Sequence, residues 1–212
     1  MPVYTDALSD YIRELFAVED KASRSARERL VEQGLPAISV RAEEGRFLQV
    51  LVAACRAKRA LEIGTLGGYS GIWIARGLLP GGRLITLEVS EKHAEVARSN
   101  FEAAGVDDRI EIRLGDAHET LATLTAEPPF DFIFIDAEKS GYDRYFDWAV
   151  DHLRPGGVLA AHNAFRGGRI VDVEPDEDVR NSQRFNARVA ADPRVLSTIF
   201  PGGDGTLIAV KQ

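Results

Sequence analysis

The run Ala60-Leu61-Glu62-Ile63-Gly64-Thr65-Leu66-Gly67-Gly68-Tyr69-Ser70 constrains the fold more than any other stretch of this chain. An apolar segment stops at Gly64, glycines return at Gly67 and Gly68, and a helix-compatible segment, Gly71-Ile72-Trp73-Ile74-Ala75-Arg76, follows. That is a strand, a tight glycine turn and a helix start. Glycine permits positive φ and a close approach of ligand to backbone, and the helix start offers unpaired N–H groups. In an open α/β sheet, ligands sit at the carboxyl end of such a strand. The glycine spacing is not that of a dinucleotide fingerprint, and no G-x-x-x-x-G-K-[ST] loop for a nucleoside triphosphate occurs. Glu62 stands inside the strand, where a buried carboxylate needs a partner. A cationic or hydroxyl-bearing ligand would supply one, as would neighbouring backbone N–H groups; an ordinary turn with a capping acid is the alternative.

Further along, strands alternate with helices. Strands are expected at Leu61–Ile63, Arg83–Val89, Ile110–Leu114, Phe130–Ile135 and Val158–Ala161. Helices are expected at Gly71–Leu79, Ser90–Ala104 (stopped by Gly105), Glu119–Ala126, Tyr142–Leu153 and Asp176–Ala191, with a turn at Pro155-Gly156-Gly157. Val195–Phe200 and Thr206–Val210 read as a closing hairpin. The pattern predicts an α/β fold: one Rossmann-like, doubly wound, mostly parallel sheet with an antiparallel C-terminal hairpin. Thr5 to Gln33 predicts extra N-terminal helices, with Leu8, Tyr11, Ile12, Leu15 and Phe16 at helical spacing; these suit a cover over the sheet or an oligomer contact. The expectation is a single domain over residues 1–212, a helical cover over 1–57 and a sheet core over 58–212.

The net charge of -7 argues against nucleic acid as a partner, because phosphate binding needs a basic face. No apolar run approaches the roughly 18 residues of a membrane span. Met1 leads into Pro2, Tyr4 and Asp6 rather than a signal peptide, and Cys55 is the only cysteine, so the expected location is cytoplasmic. Cys55 itself is expected as a buried helix residue.

The strand exits collect the informative polar residues: Gly64, Glu88, Asp116, Asp136 and His162-Asn163, all due to open on one sheet edge. An acid such as Glu88 suits both hydroxyls of a ribose, or is a solvated strand end. Asp116 would meet an adenine amino group or make an Asx-turn, with His118 at the rim. Asp136 and Lys139, beside His162-Asn163, would bind a divalent cation and hold a base next to it; a loop ion pair is the alternative.

With those residues in view the chain resembles the cation-dependent O-methyltransferases that use S-adenosylmethionine, of the caffeoyl-CoA and catechol type. The resemblance rests on Glu43-Glu44-Gly45-Arg46-Phe47-Leu48, Leu61-Glu62-Ile63-Gly64-Thr65 with Gly68-Tyr69-Ser70, Phe130 to Lys139, and Gly203-Asp204-Gly205. It implies that Gly64, Gly68, Tyr69 and Ser70 line the methionine end of the cofactor, with Glu62 near its ammonium group and Val40 contributing backbone. It implies Glu88 on the ribose, Asp116 and Ala117 at the adenine, Lys139 as catalytic base, and Asp136, His162 and Asn163 as ligands of a divalent cation (magnesium, manganese or a softer ion). It also implies a small phenolic or catechol-like acceptor and a homodimer.

One position departs from the pattern. The family reads Asp-Asn where this chain has His162-Asn163. Imidazole removes a negative charge and favours softer ions. Three readings stay open: a metal site with altered preference, a metal-independent methyltransferase, or an S-adenosylmethionine-binding protein with little activity. Acceptor-facing residues are expected in Ala164 to Arg180 and the N-terminal helices, with Arg166 or Arg169 meeting an anionic group or solvated. Trp73 and Trp148 would exclude water or pack in the core.

Overall fold

In the computed structural model, which describes residues 5–212, seven strands form one sheet. They are β1 (Arg59–Ile63), β2 (Arg83–Glu88), β3 (Ile110–Leu114), β4 (Phe130–Ile135), β5 (Leu153–Ala161), β6 (Val195–Phe200) and β7 (Thr206–Lys211), in the order β3-β2-β1-β4-β5-β7-β6. β1 to β5 pair in parallel, and β7 runs antiparallel to β5 and β6. This is the expected doubly wound sheet with its C-terminal hairpin. The winding reverses between β1 and β4, and that reversal opens a crevice at their carboxyl ends.

Side chains alternate across the strands with a period of two, so the sheet has two apolar faces. Leu61, Ile63, Ile133, Ile135, Leu159 and Ala161 face one way. They meet α6 (Ala117–Thr123), α7 (Tyr142–His152) and α8 (Glu177–Ala191) through Leu121, Phe146 and Phe185. Ala60, Phe132, Phe134 and Ala160 face the other way, onto α3 (Ala42–Ala54), α4 (Tyr69–Gly77) and α5 (Glu91–Ala104). Each fully buried Phe or Ile contributes about 1.5–3 kcal/mol. Trp73 belongs to this core, and Trp148 packs against the opposite cluster.

Caps move several boundaries. Asp116 accepts the amides of His118 and Glu119, so α6 begins two residues before the expected Glu119. Asp176 caps α8 in the same way through Val179. Pro155-Gly156-Gly157 lies inside β5, where the register against β4 shifts between Phe130 and Phe132, a bulge in place of the expected turn. Cys55 is the half-buried C-cap of α3, and burial raises its thiol pKa to about 11.

At the N-terminus, α1 (Asp6–Phe16) packs through Ser9, whose hydroxyl meets the Glu43 carboxylate. Its regularly spaced Leu8, Tyr11, Leu15 and Phe16 point outward instead, at 42, 59, 56 and 62% exposure. α2 (Lys21–Glu32) lies against α5 and closes over the crevice with Leu30. Among the described residues, no helix is long and apolar enough to cross a membrane.

Candidate functional site

A cavity of about 650 Å³ opens at the carboxyl ends of β1, β2, β4 and β5. Nine of the candidate site residues named above line it: Val40, Gly64, Tyr69, Ser70, Glu88, Asp136, Lys139, Asn163 and Arg166. A side lobe of about 240 Å³ shares Gly64 and Glu88 and adds Asp116, Ala117 and Tyr145. Glu62, Gly68 and His162 do not line the main cavity, for reasons that differ.

Glu62 shares the α4-facing side of β1 with Ala60, because the two are separated by one strand period. Its carboxylate is fully buried and accepts the hydroxyls of Ser70 at 2.6 Å and Thr86 at 2.7 Å. Burial pushes its pKa up to about 7 against those two hydrogen bonds, and the charges of Asp136 and Glu88 add to the rise. Glu62 therefore meets the cavity through Ser70, not directly. Gly68 caps α4, and a Cβ there would enter the Phe101 ring, so its lack of a side chain serves packing beneath the turn.

Glu88 is 7% exposed and holds the glycine turn from the opposite side. Its carboxylate accepts the amides of Leu66 at 2.8 Å and Ser90 at 2.9 Å. One acid thus fastens the β1–α4 turn to the start of α5, with acceptor capacity left on the cavity.

Lys139 sits in the loop after β4 with its side chain 8% exposed. Its ammonium nitrogen donates to the Tyr142 hydroxyl and lies 3.4 Å from the His162 carbonyl oxygen and 3.8 Å from Asp136 Oδ1. Burial lowers its pKa to about 8; Asp136 pulls the other way, and Arg166, also on the cavity, assists burial. Tyr142 is buried and fixed by the carbonyls of Ile135 and His162, so the amine is aimed by a rigid partner. Arg169 pairs instead with Asp172 and Asp176, away from the cavity.

His162 lies 7% exposed, with Nε2 3.0 Å from Glu44 Oε1 and Nδ1 3.4 Å from Asp136 Oδ2. Burial disfavours its charge, yet the hydrogen bonds and charges of Asp136 and Glu44 prevail and raise its pKa to about 10. Both carboxyls, driven upward by burial, end below their ordinary range because the ring is cationic. Asn163 spends its amide N–H₂ on Asp204 at 2.9 Å.

At the expected divalent-cation site, Asp136 is shared between His162 and Lys139, and each ring nitrogen of His162 faces a carboxylate. Among the described residues, no three His, Cys, Asp or Glu side chains gather in a metal-holding group.

Reading the sequence alone missed Glu44, Tyr142, Asp204 and Tyr145. Glu44 stood in the sequence only as part of the motif that carries the resemblance; in the fold it is the third residue of α3 and accepts the Arg41 amide. Nothing in its spacing announces the contact with His162, 118 residues away.

The chain matches the O-methyltransferase family model over residues 14–212. It is 46% identical to the catechol O-methyltransferase of Niastella koreensis over 98% of this chain and 93% of that protein. It is 45% identical to the catechol O-methyltransferase of Mycobacterium tuberculosis over 84% of this chain and 83% of that one. The crystal structure of the Bacillus cereus O-methyltransferase in complex with SAH superposes with a TM-score of 0.91 at 43% identity, covering 97% of each chain. Sheet, crevice and family match agree: this chain belongs to the S-adenosylmethionine-dependent O-methyltransferases.

Proposed function

We propose that this enzyme methylates a hydroxyl of a small phenolic or catechol-like acceptor, with Lys139 as the base, and that residues 1–212 act as one catalytic domain. The observation that carries the reading is the buried Lys139 amine, at a pKa of about 8, on the same cavity as the glycine turn and Glu88. The names of two relatives, both catechol O-methyltransferases, support the acceptor class.

The cavity fits S-adenosylmethionine. At Gly64 a Cβ would fall on the Asp136 carbonyl, so the absence of a side chain there is what leaves room at the crevice. In this reading Gly64, Tyr69, Ser70 and the Val40 backbone hold the methionine end, Glu88 the ribose, and Asp116 with Ala117 the adenine. Bound S-adenosylmethionine supplies an electrophilic methyl group on a sulfonium. Neutral Lys139 takes the acceptor's hydroxyl proton at Nζ while a hydroxyl lone pair forms the new O–CH₃ bond and the S–CH₃ bond breaks. Tyr142 orients the amine, and the gained proton then leaves to solvent. Leu30 and Ile38 cover the cavity and limit water, and alignment of the oxygen with the methyl group does much of the work.

The test is incubation with S-adenosylmethionine labelled in its methyl group and catechol, followed by chromatography. A labelled mono-methyl ether is expected. Cofactor binding without transfer to any of a panel of phenols would instead favour a binding protein of little activity. We also propose a cytoplasmic homodimer. The outward apolar side chains of α1 support the second copy, and sedimentation at about twice the 23.2 kDa chain mass is expected. A monomer at assay concentration would remove that part of the reading.

A further inference from the structure

The His162 environment carries more than the loss of a metal ligand. The ring lies between two carboxylates, with Nε2 facing Glu44 and Nδ1 facing Asp136. Nε2 makes a 3.0 Å hydrogen bond with Glu44, and Nδ1 lies within ion-pair distance of Asp136, so both edges of the ring are taken up by acids. Glu44 is itself held in place: Oε2 accepts the Arg41 amide at 2.8 Å, and Oε1 also faces the Asp204 amide at 3.3 Å. The turn that carries Asp204 closes on this acid so tightly that a Cβ on Gly203 would overlap the Glu44 carboxylate. Asp136, on the cavity, is then flanked on both sides, by His162 at 3.4 Å and Lys139 at 3.8 Å.

We propose that the His162 ring, clamped between Glu44 and Asp136, occupies the place of a divalent ion, so that this enzyme methylates its acceptor without a metal. The inference rests on the methyltransferase reading above and adds the electrostatic device of its site. His162 and Glu44 are positioning residues. The ring faces Oδ2 of Asp136 while Lys139 faces Oδ1, and Glu44 fixes the ring. A divalent ion added to this arrangement would have to displace the ring from both acids and part Asp136 from Lys139.

The decisive experiment is a Mn²⁺ titration of chelator-treated protein followed by electron paramagnetic resonance, in the wild type and in His162→Asp. The substitution removes the ring and sets a third carboxylate beside those of Glu44 and Asp136. The wild type is expected to leave the free-ion signal undiminished to millimolar Mn²⁺, and its catechol turnover to change less than about twofold with chelator. His162→Asp is expected to take up the ion, with turnover that depends on it. Stoichiometric Mn²⁺ uptake by the wild type overturns the proposal, as does wild-type turnover abolished by chelation and restored by an ion. The wild-type titration decides the matter even if the variant does not fold. Because it reads bound ion and not product, it also stands apart from a failure of the acceptor assignment.

Discussion

Lys139→Met is expected to lower turnover about 10²- to 10⁴-fold, the usual contribution of a positioned general base. Methionine keeps the length and apolar stem of the side chain, so the packing against Tyr142 survives while the proton acceptor is lost. The dissociation constant for S-adenosylmethionine, measured by calorimetry, is expected to stay within about twofold, because the amine acts on the acceptor and not on the cofactor. The wild-type pH profile supplies the second arm. Lys139 has a lowered pKa of about 8, and the active form is the neutral amine. The rate should therefore climb about tenfold per pH unit below 8 and level off above it, and the climb should be absent from the residual rate of the variant. Glu62, raised to about 7, titrates in the same window, and the variant, which keeps Glu62 and lacks the amine, separates the two. A variant that keeps wild-type turnover, or a wild-type rate flat from pH 6 to 9, would remove Lys139 from the chemistry.

What was legible in the sequence follows from the range of the interactions involved. The glycine turn, the alternating strands and the acids at strand exits are local patterns, and the sheet winds as they require. Glu88 and Asp136 reach the crevice because each stands where its strand ends. Glu62 shows where local reading stops. Its place before Gly64 marks the turn, but the strand period turns its carboxylate under α4, onto Ser70 and Thr86. Likewise His162 was legible as a departure but not as the partner of Glu44, since that depends on an acid from α3 arriving beside it. The apolar spacing of α1 marks a helix with one apolar side and leaves open whether the sheet or a second copy covers it; in the fold Leu8, Tyr11, Leu15 and Phe16 face outward.

Gly64→Ala is expected to destabilise the fold by about 2–5 kcal/mol and to abolish cofactor binding. Two separate effects add. Gly64 has φ +101°, a conformation that strains any residue with a Cβ by about 1–2 kcal/mol. In addition, the new methyl group would fall on the carbonyl oxygen of Asp136, a backbone atom that cannot rotate away. Overpacking of that kind costs about 1–3 kcal/mol. The Asp136 amide donates to the Ile63 carbonyl at 2.9 Å, and the Gly64 amide to the Leu87 carbonyl at 3.1 Å. Relief of the clash therefore parts β1 from β4 at the crevice and moves Asp136 and Lys139 with it. Gly81→Ala separates the two effects. Gly81 also has positive φ, +75°, but nothing lies within 4 Å of the place its new methyl group would take, so strain alone applies. Urea denaturation should show the larger loss at Gly64, and cofactor titration should show lost binding there and unchanged binding at Gly81. Equal losses of stability, with binding intact in both, would mean that β1 and β4 yield freely at this point and that the close approach does not build the site.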